Sequence, residues 1–310
     1  MIDILMATYN GEKYIEEQLQ SIINQTYQDW RLIISDDCST DKTVEILKRY
    51  QQRYSKKILV YENNISSGSA KNNFYKLLDY STSEYVMFSD QDDVWKKDKI
   101  AVTYNKMLEM QIEYGNNMPL LVHTDLCVVD ENLNVINNSL FSMQKMDYTR
   151  DKLNNLLIEN IVTGCTVMVN RALLGLVDEK PTHSVMHDMW LALIAAAFGK
   201  IGFVNASTIF YRQHGHNSVG AKDVNSFDYY VKKISSRNKI HNSLMAQYCQ
   251  AEELLNIYFK DLDRKTRGML CEYAMLSDVN RFYRAISLIK YKLGKKSVIK
   301  ILAQIMYGIF

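Results

Sequence analysis

The chain has 310 residues, 47% of them hydrophobic and 23% charged, with 37 Lys and Arg against 35 Asp and Glu. That composition excludes a chain that is mainly disordered, and the near balance of signs argues against a generic nucleic-acid coat. No apolar run reaches the roughly 18 residues that cross a bilayer.

Short apolar runs alternate with amphipathic stretches through the first third of the chain. Ile2 to Ala7 reads as a strand, and Tyr14, Ile15, Leu19, Ile22 and Ile23 recur at helical spacing. Leu32 to Ser35 is again a strand, and a helix over Thr43 to Tyr54 follows the capping-rich Ser39-Thr40-Asp41. A strand at Ile58 to Tyr61, a helix carrying Phe74, Leu77 and Leu78, and a strand at Tyr85 to Ser89 complete the alternation. Strict alternation predicts an α/β fold with a doubly wound, mostly parallel sheet whose ligands sit beyond the carboxyl ends of the strands. Further strands are predicted at Leu120 to Val129, Cys165 to Val169 and Thr208 to Tyr211, with a buried helix over His187 to Phe198. From about Phe227 the chain reads as helical. With a boundary at Val219 to Ser226, this predicts a catalytic domain over 1–220 and a basic helical region over 221–310.

The five cysteines are odd in number and form no C-x-x-C pair, which predicts free thiols. The first residues lack a basic region leading into a long apolar stretch, so a cytoplasmic protein is expected. The small net charge is the sum of opposite halves: residues 221–310 carry 16 basic and 8 acidic side chains. Seven of those basic residues lie between Arg281 and Lys300, with no acid among them, interleaved with Phe282, Tyr283, Ile286 and Ile289. A solvated helix face is one reading of such a run. Aromatic and aliphatic residues among Lys and Arg favour the other, an interfacial helix on an anionic membrane surface. No nucleic-acid-binding motif accompanies the basic residues, so no nucleic-acid partner is expected.

The strand ending at Ser89 delivers Asp90-Gln91-Asp92-Asp93. In extended chain, side chains two apart share a face, so Asp90 and Asp92 are expected to converge while Asp93 points away. Like charges held close need a cation between them, and Mg²⁺ or Mn²⁺ takes one or two carboxylates with substrate phosphates. The competing reading is an acidic turn before a helix. Asp36-Asp37 and Ala7-Thr8-Tyr9-Asn10 close the two neighbouring strands and bring further polar groups to the same crevice. A carboxylate there can accept from the N3–H of a pyrimidine, and Tyr9 can stack on the base. Dinucleotide, P-loop and nucleophile-elbow signatures are missing.

Ala7-Thr8-Tyr9-Asn10-Gly11, Gln25-Thr26-Tyr27, Ser35-Asp36-Asp37-Cys38-Ser39-Thr40-Asp41 and Ser89-Asp90-Gln91-Asp92-Asp93-Val94-Trp95 together resemble the ordered motifs of the inverting family 2 glycosyltransferases of GT-A fold. Thr163-Gly164-Cys165, His187-Asp188-Met189-Trp190 and Tyr211-Arg212-Gln213-His214 are similar to the rhamnosyltransferase-like branch of bacterial polysaccharide synthesis. The resemblance implies a donor-nucleotide site of Ala7, Tyr9, Asp37, Lys71, Asn72, Asp90, Gln91 and Arg212. It implies Mn²⁺ or Mg²⁺ on Asp92, Asp90 and His214, with Arg212 at the diphosphate, although a surface histidine is an equal reading of His214. Asp188 matches the general base, and Thr163, Gly164, Cys165, His187 and Trp190 fall on the acceptor side. For Trp190, as for Trp95, core packing is the alternative.

The implied reaction moves one sugar, preferably rhamnose from dTDP-rhamnose, to a lipid-linked saccharide at the inner face of the membrane. No Q-x-x-R-W segment is present, which points away from processive synthesis. A UDP-hexose or UDP-N-acetylhexosamine donor is the nearest alternative, and a non-catalytic adaptor of an assembly complex is a more distant one. The sequence also allows a homodimer.

Overall fold

The computed structural model describes residues 1–177, 180–215 and 237–294, with Ile301 and Ile305 of the tail. Strands β1 (Ile2–Thr8), β2 (Trp30–Asp36), β3 (Ile58–Glu62) and β4 (Tyr85–Ser89) are joined by helices α1 (Ile15–Ile23), α2 (Thr43–Arg53) and α3 (Ala70–Leu78). These strands pair in parallel in the order β3-β2-β1-β4, the arrangement that alternation predicts. Beyond β4 the sheet becomes mixed and continues β8-β6-β9-β5, with β7 (Val135–Asn137) beside β6. Here β5 is Val94–Trp95, β6 Leu120–Val129, β8 Met168–Asn170 and β9 Lys200–Arg212. β8 runs antiparallel to both its neighbours, whereas β6 and β9 are parallel to each other.

Both faces of the sheet are buried, which explains the near-continuous apolar strands. Ile4, Met6, Leu32, Ile34 and Met87 face one core with Ile15, Leu19 and Leu47 of α1 and α2, and with Ile100 and Met107 of α4 (Lys99–Tyr114). Leu5, Ile33, Val86 and Phe88 face the other with Phe74 of α3. That second core is closed by α8 (His187–Phe198), whose residues from Met189 to Ala195 are all buried. Three short helices lie between β7 and α8: α5 (Leu140–Gln144), α6 (Leu153–Leu156) and α7 (Arg171–Leu174).

The expected boundary at Val219 to Ser226 lies outside the described residues. The described C-terminal helices are α9 (Arg237–Ile257), α10 (Arg264–Ala274) and α11 (Arg281–Lys290). Tyr248, Leu254, Leu270, Tyr273 and Leu288 belong to the same apolar cluster as Trp190 and Phe74. Tyr273 donates to the carbonyl of Leu157 at 2.5 Å, and Tyr258 donates to that of Leu176. Burying those aromatics in the core that α8 closes couples the helical region to the sheet.

Among the described residues, no helix is long and apolar enough to cross a membrane. Trp190 is fully buried and Trp95 3% exposed, so both tryptophans serve the core. That corrects the acceptor-side placement of Trp190.

Candidate active site

The carboxyl ends of β1, β2 and β4 open onto one crevice. Two loops there are bolted together by a side chain. Gln91 Oε1 accepts from the Tyr9 backbone N–H and Gln91 Nε2 donates to the Tyr9 carbonyl, each at 2.9 Å. A Cβ on Gly11 would stand 2.4 Å from Gln91 Oε1, so this approach requires glycine. Gln91, expected to touch the nucleotide, is thus committed to the backbone that carries Tyr9. The Tyr9 ring is 57% exposed at the crevice mouth, while Ala7 is half-buried behind it.

Asp37 follows directly on β2 and is 7% exposed. Its carboxylate accepts from Asn63 Nδ2 (2.9 Å), the Ser67 N–H (2.6 Å), and the hydroxyls of Ser66 and Ser67 (3.0 Å each). Partial burial opposes its ionisation, but these donors together hold its pKa below the ordinary value. The neighbouring Asp36 is a structural group: it accepts from Thr8 Oγ1 (2.9 Å), the Ser39 N–H (2.9 Å) and Ser39 Oγ (2.6 Å).

After β4 the chain turns, and the expected two-residue alternation fails. Asp93 does not point away. It is fully buried, and its ligand atoms lie within 4.8 Å of those of Asp90 and Cys165. Asp93 Oδ1 accepts from the Arg212 N–H at 3.1 Å, whereas Oδ2 has no hydrogen-bond partner. Asp92 takes a different direction and meets His214 Nε2 at 2.7 Å. The Asp90 carboxyl is pushed up to about 7, first by loss of hydration and then by the charges of Asp92 and Asp188. Burial followed by the same kind of repulsion, from Asp92 and Asp90, raises Asp93 well above the carboxylate range.

Crowded carboxylates with an orphaned buried oxygen suit a hard divalent cation, which would relieve their repulsion. The nearby Cys165 thiol is buried, which pushes it up, and as a soft ligand it suits Mg²⁺ or Mn²⁺ poorly. Asp90 and Asp93 are the carboxylates whose oxygens converge, while Asp92 and His214 form a neighbouring pair. Lys99, fully buried over the Trp95 ring at 4.6 Å, was missed by sequence reasoning. Its pKa is lowered to about 8 by burial, and no hydrogen-bond partner reaches its Nζ.

Arg212 does not present its guanidinium to the crevice. It is 2% exposed, stacks on Tyr14 at 4.5 Å, and donates through Nε to the Asp92 carbonyl at 2.9 Å. Its terminal nitrogens reach the Glu131 carbonyl and the Glu17 carboxylate. The expected diphosphate contact is thereby corrected to a clamp on the acidic loop, a use that suits a rigid fork of donors.

Asp188 is the second residue of α8. Its Oδ1 accepts from the Met189 N–H at 2.6 Å, and the nearby Gly164 N–H also favours the ionised carboxylate. Burial raises its pKa to about 6, and these backbone donors oppose the rise. His187 beside it is no acceptor contact: it is 2% exposed, packed between Phe74 and Phe88, and lowered by burial to about 3, hence neutral. A Cβ on Gly164 would stand 2.9 Å from His187 Nε2, so the glycine makes room for that imidazole. Thr163 is the half-buried member of its tripeptide, and Cys165 lies beneath Asp90.

The approach to α8 is held from two sides. Lys71 Nζ donates to the carbonyls of Ser184 (2.8 Å) and Thr182 (3.3 Å). From α9, Gln250 Oε1 accepts from the Val185 N–H, and Glu253 accepts from the N–H groups of Thr182 and His183, each at 2.8 Å. Lys71 is therefore engaged with this segment rather than poised at a ribose, and Asn72 donates to the Ser67 carbonyl at 2.8 Å. Sequence reasoning missed the two α9 residues because nothing local marks them.

A sheet whose parallel half carries acidic loops at its carboxyl ends, with a further carboxylate at a facing helix N-terminus, has the architecture of the GT-A fold. The model of "Glycosyl transferase family 2" matches residues 3–175, and the chain belongs to that family. It is 32% identical over 227 residues to "dTDP-rhamnosyl transferase RfbG" of Shigella flexneri, covering 70% of this chain and 74% of that protein. It is 29% identical over 198 residues to "UDP-Glc:alpha-D-GlcNAc-diphosphoundecaprenol beta-1,3-glucosyltransferase WfgD" of Escherichia coli, covering 63% and 70%. Among solved structures it resembles S. aureus TarS 1-349 in complex with UDP-GlcNAc, with TM-score 0.60, 18% identity and coverage of 94% and 80%.

Proposed function

We propose that this glycosyltransferase is a metal-dependent, inverting enzyme. It moves one sugar, L-rhamnose from dTDP-rhamnose by preference, to a lipid-linked saccharide during cell-surface polysaccharide synthesis. The observation that carries the reading is the placement of Asp188. Its carboxylate accepts from a backbone N–H at the start of α8 and is raised by burial to about 6, near the pH at which a general base works well. The acceptor hydroxyl gives its proton to Asp188 as its oxygen attacks the anomeric carbon. The bond from that carbon to the diphosphate breaks on the opposite face, and the bonding pair leaves with the nucleoside diphosphate. A divalent cation on Asp90, Asp92 and His214 supplies charge neutralisation for the leaving group when bound.

Asp37 and Tyr9 form the base site in this reading. The ionised Asp37 carboxylate offers only acceptors, which suits the N3–H of thymine and of uracil equally. The similarity to RfbG favours the rhamnosyl donor, and the similarity to WfgD, named for a UDP-Glc donor and a diphosphoundecaprenol acceptor, supports a UDP-hexose as the second reading. It also supports the lipid-linked acceptor, which would place the protein peripherally at the inner face of the cell membrane.

The test is release of nucleoside diphosphate from a panel of nucleotide sugars with Mn²⁺ or Mg²⁺ and an isoprenoid-diphosphate saccharide. Wild type should turn over dTDP-rhamnose and Asp188→Asn should not. Full activity in Asp188→Asn, or no turnover of any donor, overturns the reading.

A further inference from the structure

We infer that the outer face of α11 is the surface by which this protein docks on anionic lipid. The inference rests on the reading that the acceptor is membrane-borne, and it names the part of the chain that meets the bilayer.

α11 is amphipathic in an unusual sense: both its faces carry apolar groups. Inward, Leu288 is buried in the shared core, and Arg284 donates to the carbonyls of Leu276 (3.0 Å) and Val279 (3.2 Å). Outward, Phe282, Ile286 and Ile289 recur at i, i+4 and i+7 on one stripe, with Tyr283 beside it. They are 71%, 43%, 74% and 61% exposed. Leaving four large apolar side chains in water on ten residues of helix is costly, and a contiguous patch of this kind marks an interaction surface.

The charges around the stripe select the partner. Arg281 and Lys292 are exposed at its two ends, and Lys290 flanks it while bonded to Glu272 of α10 at 2.6 Å. No acid occurs between Arg281 and Lys300, and Lys295, Lys296 and Lys300 extend the run in sequence beyond the described residues. Aromatic and aliphatic side chains rimmed by cations match the acyl boundary and headgroups of an anionic membrane. The hydrophobic stripe sits where acyl chains would cover it, and the cations lie at headgroup level.

Flotation of the full chain with vesicles tests the inference. Wild type should float with phosphatidylcholine vesicles containing about a third phosphatidylglycerol, much less with phosphatidylcholine alone, and more weakly as NaCl rises from about 0.1 to 0.5 M. Phe282→Ser/Ile289→Ser should lower the bound fraction at least tenfold with an unchanged circular-dichroism spectrum, because both side chains lie outside the core. In a second measurement, Tyr283→Trp should show a blue-shifted emission on addition of the anionic vesicles and none with the neutral ones.

Undiminished flotation of the double variant, or a tryptophan emission that does not move, overturns the inference. A wild-type dimer that becomes monomeric in the double variant while neither floats also overturns it, since the stripe would then be covered by a second copy. Failure of the glycosyl-transfer reading is separate: it shows as absent nucleoside diphosphate release, whether or not the protein floats.

Discussion

Gln91 pairs with both backbone groups of Tyr9, as a neighbouring strand would, at 2.9 Å each way. A side chain thereby extends the sheet beyond the end of β1 and locks the loop that carries the Tyr9 ring to the acidic loop after β4. Gln91→Glu keeps the acceptor but loses the donor to the Tyr9 carbonyl and adds negative charge beside Asp90 and Asp92. Donor KM should rise about tenfold or more, a loss on the order of 1.4 kcal/mol, with melting temperature little changed because the loops are at the surface. Steady-state kinetics with a thermal melt separates this from general unfolding, and an unchanged KM would show that the bracket does not order the donor site.

Asp188 makes a two-sided prediction about pH. Its folded-state pKa is raised to about 6, above the ordinary 3.8, by burial. As the base it must be ionised, so kcat/KM should climb with pH through about 6 and then level off. For stability the sign is opposite. The folded state binds more protons than the unfolded chain between the two pKa values, so this residue's contribution is fully present below about 4 and is lost as pH rises through about 6. Asp188→Asn removes that loss. It should abolish transfer yet melt higher than wild type at neutral pH, by about 1–2 kcal/mol after discounting for partial exposure, with the difference gone near pH 4. Paired melts at the two pH values decide it, and an Asn variant less stable at neutral pH would contradict the cause given for the shift.

The parallel half of the sheet was legible because its strands are buried on both faces and its helices carry one apolar stripe each; β4 begins and ends at the predicted Tyr85 and Ser89. The acidic loop was legible only in composition. Period-two reasoning holds for extended chain, and after Ser89 the backbone turns, which brings Asp93 beside Asp90 and aims Asp92 at His214. β9 was legible only at its end, because Gly202, Asn205 and Ser207 interrupt the apolar pattern and its register against β6 shifts around Asp125. The partners of Arg212 were out of reach for another reason: Glu17 lies 195 residues away, and no local signal announces a buried guanidinium.

That buried guanidinium should behave as a structural group. Arg212→Ala strips donors from the Asp92 and Glu131 carbonyls, leaves a void against Tyr14 and abandons Glu17. Stability should fall by about 2–4 kcal/mol, most of it from unsatisfied buried acceptors and lost packing. Arg212→Lys should recover little, because an ammonium cannot reach several separated acceptors from one plane. Urea melts measure this. If Arg212→Ala melts like wild type and only weakens nucleoside diphosphate binding, the diphosphate role expected from sequence is restored.

Asp37 provides the sharpest test of the base site. Its two oxygens already accept four hydrogen bonds from Asn63, Ser66 and Ser67, about the full capacity of a carboxylate. A pyrimidine N3–H therefore has to take the place of a serine hydroxyl, and the longer bonds at 3.0 Å yield before the Ser67 N–H at 2.6 Å. Ser66→Ala/Ser67→Ala vacates those positions without touching the carboxylate, so UDP and dTDP should bind severalfold more tightly than to wild type. Asp37→Asn acts in reverse: the amide can donate to the cytosine N3, so the preference for UDP and dTDP over CDP should shrink by at least tenfold. Calorimetric titration of the three diphosphates against wild type and both variants reads each effect. Equal discrimination in Asp37→Asn would remove this residue from the base site and direct attention to the backbone around Tyr9.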